Sequence, residues 1–361
     1  MEKPDFDRIL KVLMLEESDH IPLFELYVDL EVVEALTGNP VVNLDFSRKG
    51  HRSLYIDMVK KFFIGLGYDY IPMEVSVNFP PLKRRVTRDV TALSGARGGV
   101  RSWMNETEGV VKTTSDLELL PDPSDPKAAD YTLLEELCKN LPDDVEVICG
   151  VGPGGLFEIS SWLMGLQPFL ISLYRDEGLI SHIFDRVGDI YLEFYRYVAE
   201  FDRVGALSLG DDLGYKKGTM MSPRHIRGYV LPWYRKFVEV AHKRGKPFIL
   251  HSCGNLEAIM NDLIEIGVDG KHSYQEPFAS VKEAKEKYGD RMAILGGVDV
   301  DRLTRLPLDE LKSYVLGIIQ SCAPGGGYAL GSGNSVTNYM NLENYMHMIR
   351  IGRKYGECPY R

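Results

Sequence analysis

The sequence predicts an α/β fold, a TIM-type (β/α)8 barrel with a β-hairpin insertion after the second strand, and three observations carry that expectation. Eight short apolar runs, beginning near Ile21, Tyr70, Val145, Ala206, Phe248, Val268, Ala293 and Tyr328, are each followed by a stretch of helical spacing. Short strands without polar alternation belong to parallel sheets covered on both faces. The length of 361 residues fits one such barrel with an insertion, roughly 250 to 400 residues. An open doubly wound sheet is the competing arrangement. It is disfavoured because GVGPGG at Gly150–Gly155 has neither the spacing nor the acidic partner of a dinucleotide-binding turn.

In chain order, Ile9, Leu10, Leu13 and Met14 recur at helical spacing within Asp5–Leu15, and SDHIPLFELYV then switches to a first strand with Glu25 near its exit. Helices at Leu30–Thr37 and Ser47–Leu66 lead to the strand YDYIPMEV, which ends beside Glu74. Pro81–Thr114 breaks the rhythm with polar and β-branched alternation around a Gly-rich turn, the pattern of a hairpin. Its bases, Lys83, Arg84, Arg85, Arg88, Arg97 and Arg101, are either the charged edge of a solvated ribbon or a lid carrying cations to an anionic ligand. PDPSDP at Pro121–Pro126 is too short for a domain linker, so residues 1–361 read as one barrel domain with 81–114 inserted. Helices at Lys127–Asn140, Ile159–Phe201, Pro223–Arg244, Leu256–Ile266, Ser280–Tyr288 and Leu308–Ala323 each precede a strand, and Leu342–Tyr355 closes the chain.

With 44% hydrophobic residues the chain can bury a large core, and its formal charge of -10 argues against nucleic-acid or anionic-membrane partners, which require a basic surface. Five scattered cysteines do not form a disulfide framework, and MEKPDFDRIL has no signal-peptide core, so a cytoplasmic location is expected. No apolar run approaches the roughly 20 residues of a membrane span. Tyr339, Tyr345 and Tyr360, if exposed, permit a homodimer.

Barrel chemistry sits at the carboxyl ends of the strands. There the sequence collects Glu25, Glu74, the Gly152–Gly155 loop, Asp211 and Asp212, His251 and Cys253, His272, Asp299, and Ser332 with Asn334. The acids, imidazoles and thiol suit a cation better than a pyrophosphate. KPFILHSCGN delivers His251 and Cys253 from the end of a buried strand, a donor pair that suits zinc, with the third ligand open to Glu74, Asp211 or a neighbouring carboxylate. The bland alternatives are specific: Asp211 and Asp212 capping the next turn, Glu74 paired with the Arg-rich ribbon, and His272 as a hydrogen-bonded core residue. Cys138, Cys149 and Cys322 read as small buried hydrophobes.

LMGLQPFLISLYRDEGLI (Leu163–Ile180), LGDDLGYKKGTMMSPRHIRGYVLPWYRKFVEVAHKRGKPFILHSCGN (Leu209–Asn255), ILGGVDVDRL (Ile294–Leu303) and PGGGYALGSGNSV (Pro324–Val336) together resemble the uroporphyrinogen decarboxylase superfamily. That superfamily includes cobamide-dependent methyltransferases, and its fold is the α/β barrel. The decarboxylase carries an Arg-rich first strand for its polyanionic tetrapyrrole, whereas HIPLFELYVDLEVV has acids and no Arg. The resemblance is therefore closer to the methyltransferase branch, which binds zinc through His-x-Cys and a later Cys. His251 and Cys253 match, and Asn334 stands at the third position. The resemblance implies methyl transfer between a small methylated substrate and a cobamide on a corrinoid protein. It places zinc at His251 and Cys253, with Glu74, Asp211, Asp212, His272 and Asn334 around the substrate. The alternatives are a metal-free decarboxylase of uroporphyrinogen or a smaller acid, and a non-catalytic ligand-binding barrel.

Overall fold

The computed structural model describes residues 3–358 except Ala92, Ser94, Ala96, Arg97 and Pro126. Seven parallel strands form the sheet in chain order: β1 (Tyr70–Ser76), β2 (Glu146–Gly152), β3 (Val204–Gly210), β4 (Phe248–His251), β5 (Gly270–His272), β6 (Ala293–Leu295) and β7 (Tyr328–Ala329). β4 is buried along its whole length, as a strand between an inner core and an outer helical layer must be.

The expected first strand occupies the eighth place in reduced form. Leu23 bridges Leu330 in parallel, and the amides of Phe24 and Leu330 bond to Leu330 and Pro22. On its other side the Tyr70 hydroxyl bonds to both backbone polar groups of Glu25. Pro22 supplies no donor, and a phenol takes the place of the ladder toward β1, so the segment closes the barrel without joining its sheet.

Helix Asp7–Leu13 lies at the amino-terminal ends of the strands, where Phe6 packs on Gly205 and Leu13 on Gly270. The opposite, carboxyl-terminal mouth carries the polar side chains. The outer layer includes Lys49–Leu66, Glu177–Val198, Leu231–Lys243, Leu308–Cys322 and Leu342–Tyr355. Their starts are fixed where a polar residue accepts first-turn amides, as Asp176 does from Leu179 and Asn341 from Glu343 and Asn344. The expected helix Pro223–Arg244 is interrupted: a π-helical stretch, Ile226–Val230, precedes Pro232 and the α-helix resumes at Leu231. Proline cannot donate the amide a regular turn needs there.

The insertion is a hairpin of Arg84–Arg88 against Val100–Met104. Lys83 pairs with Glu108, Arg84 and Arg85 donate to Ser102 and Thr107, and Arg101 stacks on Trp103, so these bases serve the ribbon itself. Arg97 lies outside the described residues. Tyr345 is fully buried with its hydroxyl 2.6 Å from that of Tyr68, so it does not meet the condition of exposure under which it could serve a dimer contact. Tyr339 is exposed, and Tyr360 lies outside the described residues. Among the described residues no single helix is long and apolar enough to cross a membrane.

Candidate metal centre and active site

In parallel register His251 on β4 stands level with Gly210 on β3 and His272 on β5. Register partners project to the same face, so the two imidazoles meet inside the barrel with Nδ1 atoms 2.8 Å apart. His272 Nε2 lies 3.0 Å from the carbonyl oxygen of Ser332, which can only accept. The network therefore assigns the proton of neutral His272 to Nε2, making its Nδ1 an acceptor. His251 must then donate from Nδ1, which leaves the lone pair of His251 on Nε2. Both rings are held neutral: burial, then the neighbouring His272 and Lys271, pushes His251 well below its usual range, and burial lowers His272 to about 4.

The Nε2 lone pair faces a thiol and a carboxylate. Cys253 Sγ lies 3.6 Å away and Asp212 Oδ1 3.9 Å away. Among the described residues these three form a group whose ligand atoms all fall within 4.8 Å of one another. Zinc bonds of 2.0–2.3 Å set the edges of a tetrahedron at about 3.3–3.8 Å, so the two distances to His251 approximate a tetrahedral face. Asp212 is oriented by the Cys253 amide, 2.9 Å from Oδ1. Asn334 donates from Nδ2 to Cys253 Sγ at 3.2 Å while its Oδ1 accepts from the Ser335 amide at 2.8 Å. Burial, then the Asp212 carboxylate, raises the free thiol. A cation would relieve both causes, and the donor set fits a divalent zinc site with one open position.

Beside this group lies a cavity of about 620 Å³ whose walls include Tyr27, Phe46, Tyr55, Glu74 and Ser335, with no Lys or Arg among its described lining residues. The Tyr27 ring stands edge-on to His251 at 4.8 Å, and its hydroxyl bonds to Glu74. Gly210 makes this possible, because a Cβ there would fall 2.1 Å from the Tyr27 hydroxyl. Glu74 is open to the cavity yet deep in the barrel mouth, and desolvation raises its carboxyl to about 7.

Residues 104–355, well over half of the chain, match the family described as uroporphyrinogen decarboxylase (URO-D). The chain belongs to the uroporphyrinogen decarboxylase family. A methylcobamide:CoM methyltransferase, MtaA, of Methanosarcina barkeri is 30% identical over 213 residues, 59% of this chain and 59% of that protein. Its counterpart from Methanosarcina barkeri strain Fusaro / DSM 804 is 24% identical over 213 residues, with the same coverage. The matched region thus spans 59% of the curated relatives' length. A solved methyltransferase from Methanosarcina mazei shares the fold, with a TM-score of 0.67 over 98% of this chain and 99% of that one at 17% identity.

The family barrel separates residues that the sequence groups together. Asp211 and Asp212 are adjacent, yet Asp211 is fully buried and accepts from the amides of Phe157 (2.8 Å) and Glu158 (3.0 Å) and from the Tyr234 hydroxyl (2.7 Å). It therefore anchors the start of helix Leu156–Met164 from a neighbouring strand, a different cap from the expected one on the next turn. Gly155 admits it, since a Cβ there would lie 2.1 Å from Asp211 Cβ. The carboxylate grouped with His251 and Cys253 is Asp212; Glu74 lines the adjoining cavity, bonded to Tyr27 and not to the ribbon. Asp299 caps helix Val300–Arg305. Cys149 and Cys322 are buried and Cys138 half-buried.

Three residues escaped the sequence reading. Tyr27 lies two positions beyond Glu25 in a run read only as strand. Glu158 is a half-buried acid in the field of Asp212 and Asp211, raised well above its usual range mainly by desolvation. Lys271 is a buried lysine whose Nζ donates to the carbonyls of Ser252 (3.2 Å) and Ser273 (2.7 Å) and lies over the Tyr274 ring; burial lowers it to about 8. A lysine in the middle of a short strand was the available signal. For the imidazole relay, His272→Phe keeps a ring of similar size but removes the acceptor for His251 Nδ1–H. Zinc affinity is expected to fall roughly 10–100-fold, as measured by competition with a chromophoric chelator; unchanged affinity would refute the relay.

Proposed function

We propose that this chain is a corrinoid-dependent methyltransferase that moves a methyl group between a small methylated substrate and a cobamide carried by a partner protein. The observation that carries the reading is the convergence of His251 Nε2, Cys253 Sγ and Asp212 Oδ1 at the strand ends, beside a cavity. Kinship with proteins named methylcobamide:CoM methyltransferase supports it.

His251, Cys253 and Asp212 would hold zinc, which when bound lowers the pKa of a heteroatom it meets and makes it a better nucleophile or leaving group. Asn334 directs its amide at the Cys253 sulfur and restrains it. Tyr27 and the aromatic walls exclude water from the substrate's apolar part. Glu74, held by Tyr27, supplies the proton to the heteroatom that loses its methyl group, and receives it back when transfer runs the other way. At neutral pH a carboxyl titrating near 7 is populated in both forms.

The experiment is methyl transfer from small methyl ethers, amines and thioethers to a free corrinoid reduced to the cobalt(I) state, followed by visible absorbance. If Glu74 is the acid in demethylation, turnover is highest below about 7 and declines as pH rises and its proton is lost. Glu74→Gln flattens that limb and lowers turnover by roughly 10²–10⁴-fold. An unchanged pH profile in the variant would remove Glu74 from the reaction. The decarboxylase reading is disfavoured by the cavity, whose charged lining residues, among those described, are acids that would repel a polycarboxylate. Release of carbon dioxide from uroporphyrinogen, without corrinoid methylation, would reverse that choice.

A further inference from the structure

Ser332 is the junction of the buried polar network behind the candidate metal centre. Its amide donates to Glu25 Oε1 at 2.7 Å, and its carbonyl accepts from His272 Nε2 at 3.0 Å. Its hydroxyl lies 2.6 Å from Glu25 Oε2 and 2.6 Å from the backbone carbonyl oxygen of Asn334. A hydroxyl has one proton to donate. The Asn334 carbonyl has none, so Ser332 Oγ–H must point there to avoid two lone pairs meeting at that distance. The remaining short contact, to Glu25 Oε2, is then a hydrogen bond only if Glu25 donates.

We infer that Glu25 is a neutral carboxylic acid whose proton fastens the Ser332–Asn334 turn, making Glu25 a positioning residue for both His251 and Cys253. One branch runs from Ser332 through its carbonyl to His272 and fixes the face on which His251 keeps its lone pair. The other runs through the Ser332 hydroxyl to Asn334 and holds the amide against the Cys253 sulfur. Ionised Glu25 would draw the Ser332 hydroxyl toward itself and release the Asn334 carbonyl, loosening the second branch first.

The surroundings favour the neutral form. Glu25 is fully buried, and among the described residues no Lys or Arg side chain hydrogen-bonds to it. Tyr70 spends its hydroxyl on the Glu25 backbone, and Tyr68 and Tyr345 bond to each other. Among the described residues these three phenols are the titratable groups that feel its charge, His272 is reached only through Ser332, and none of the four supplies a positive charge. Desolvation accordingly raises the carboxyl to about 8, even with the Ser332 amide donating to it.

The inference rests on the proposed metal-holding role for one of its two readouts only. Full-length wild-type protein and Glu25→Gln are compared from pH 6.5 to 9.5. Cobalt(II) affinity is read from the sulfur-to-cobalt absorption band, and iodoacetamide labelling of Cys253 is read by peptide-resolved mass spectrometry. The glutamine amide donates to Ser332 Oγ and accepts from the Ser332 amide as the protonated acid does, so at pH 6.5 the two proteins are expected to agree within about twofold. As pH rises through the Glu25 transition, wild type loses cobalt affinity relative to the glutamine variant by roughly 10-fold, and the ratio of their labelling rates changes with it. Superimposable ratios across the whole range, or a glutamine variant already weakened 10-fold at pH 6.5, would overturn the inference. If neither protein binds cobalt(II), the metal role fails and the labelling ratio still decides the role of Glu25.

Discussion

Cys253→Ala is expected to abolish zinc retention through gel filtration, whereas wild-type protein prepared without chelator keeps close to one equivalent. Structural zinc sites are worth about 10–16 kcal/mol over four ligands, about 3–4 kcal/mol each. Losing the thiolate thus weakens binding by roughly 10²–10³-fold. Asn334 cannot compensate, because its Oδ1 is already engaged by the Ser335 amide and the face it turns to the site is a donor. Asp212→Asn keeps an oxygen at the third corner but removes its charge, so a smaller loss is expected. Metal content by mass spectrometry on both variants checks this ordering. Equal zinc in wild type and Cys253→Ala would place any metal elsewhere.

The barrel was legible because parallel strands buried on both faces must be continuously apolar, and Phe248–His251 and Leu342–Tyr355 end where the pattern ends. The reduction of the first strand to a bridge was not, since Ile21–Leu26 reads as a good strand locally. What prevents a full ladder is the Tyr70 hydroxyl, 45 positions away, bonded to the Glu25 backbone. For the site, the chemistry of His251 and Cys253 was visible in their adjacency to a strand end. Their partners were not, because adjacency in sequence says little about direction at a strand exit. Asp211 and Asp212 leave the same strand and turn to opposite tasks, and His272 gains its role only from register with β4. The charge of Glu25 was invisible for a stronger reason: it follows from a single hydroxyl proton shared out 307 residues away.

The largest effect on stability is expected from Asp211, where its neighbour Asp212 provides an internal control. Asp211→Ala leaves the Phe157 and Glu158 amides and the Tyr234 hydroxyl facing a small buried void. Each orphaned buried donor costs about 1–3 kcal/mol, partly relieved if water enters, so the sum is about 3–5 kcal/mol. The helix start at Leu156 also loses its facing carboxylate, and the glycines before it offer no side chain to replace it. Asp212, half-exposed and bonded only to the amide and thiol of Cys253 among the described residues, has no such duty. Asp212→Asn should therefore shift unfolding by no more than about 0.5 kcal/mol in the metal-free protein. Urea unfolding of both variants in chelator, followed by tryptophan fluorescence, separates the two roles. A metal-free Asp212→Asn protein as unstable as Asp211→Ala would mean that both carboxylates hold the fold. The loss of metal affinity in Asp212→Asn could then no longer be assigned to a missing ligand.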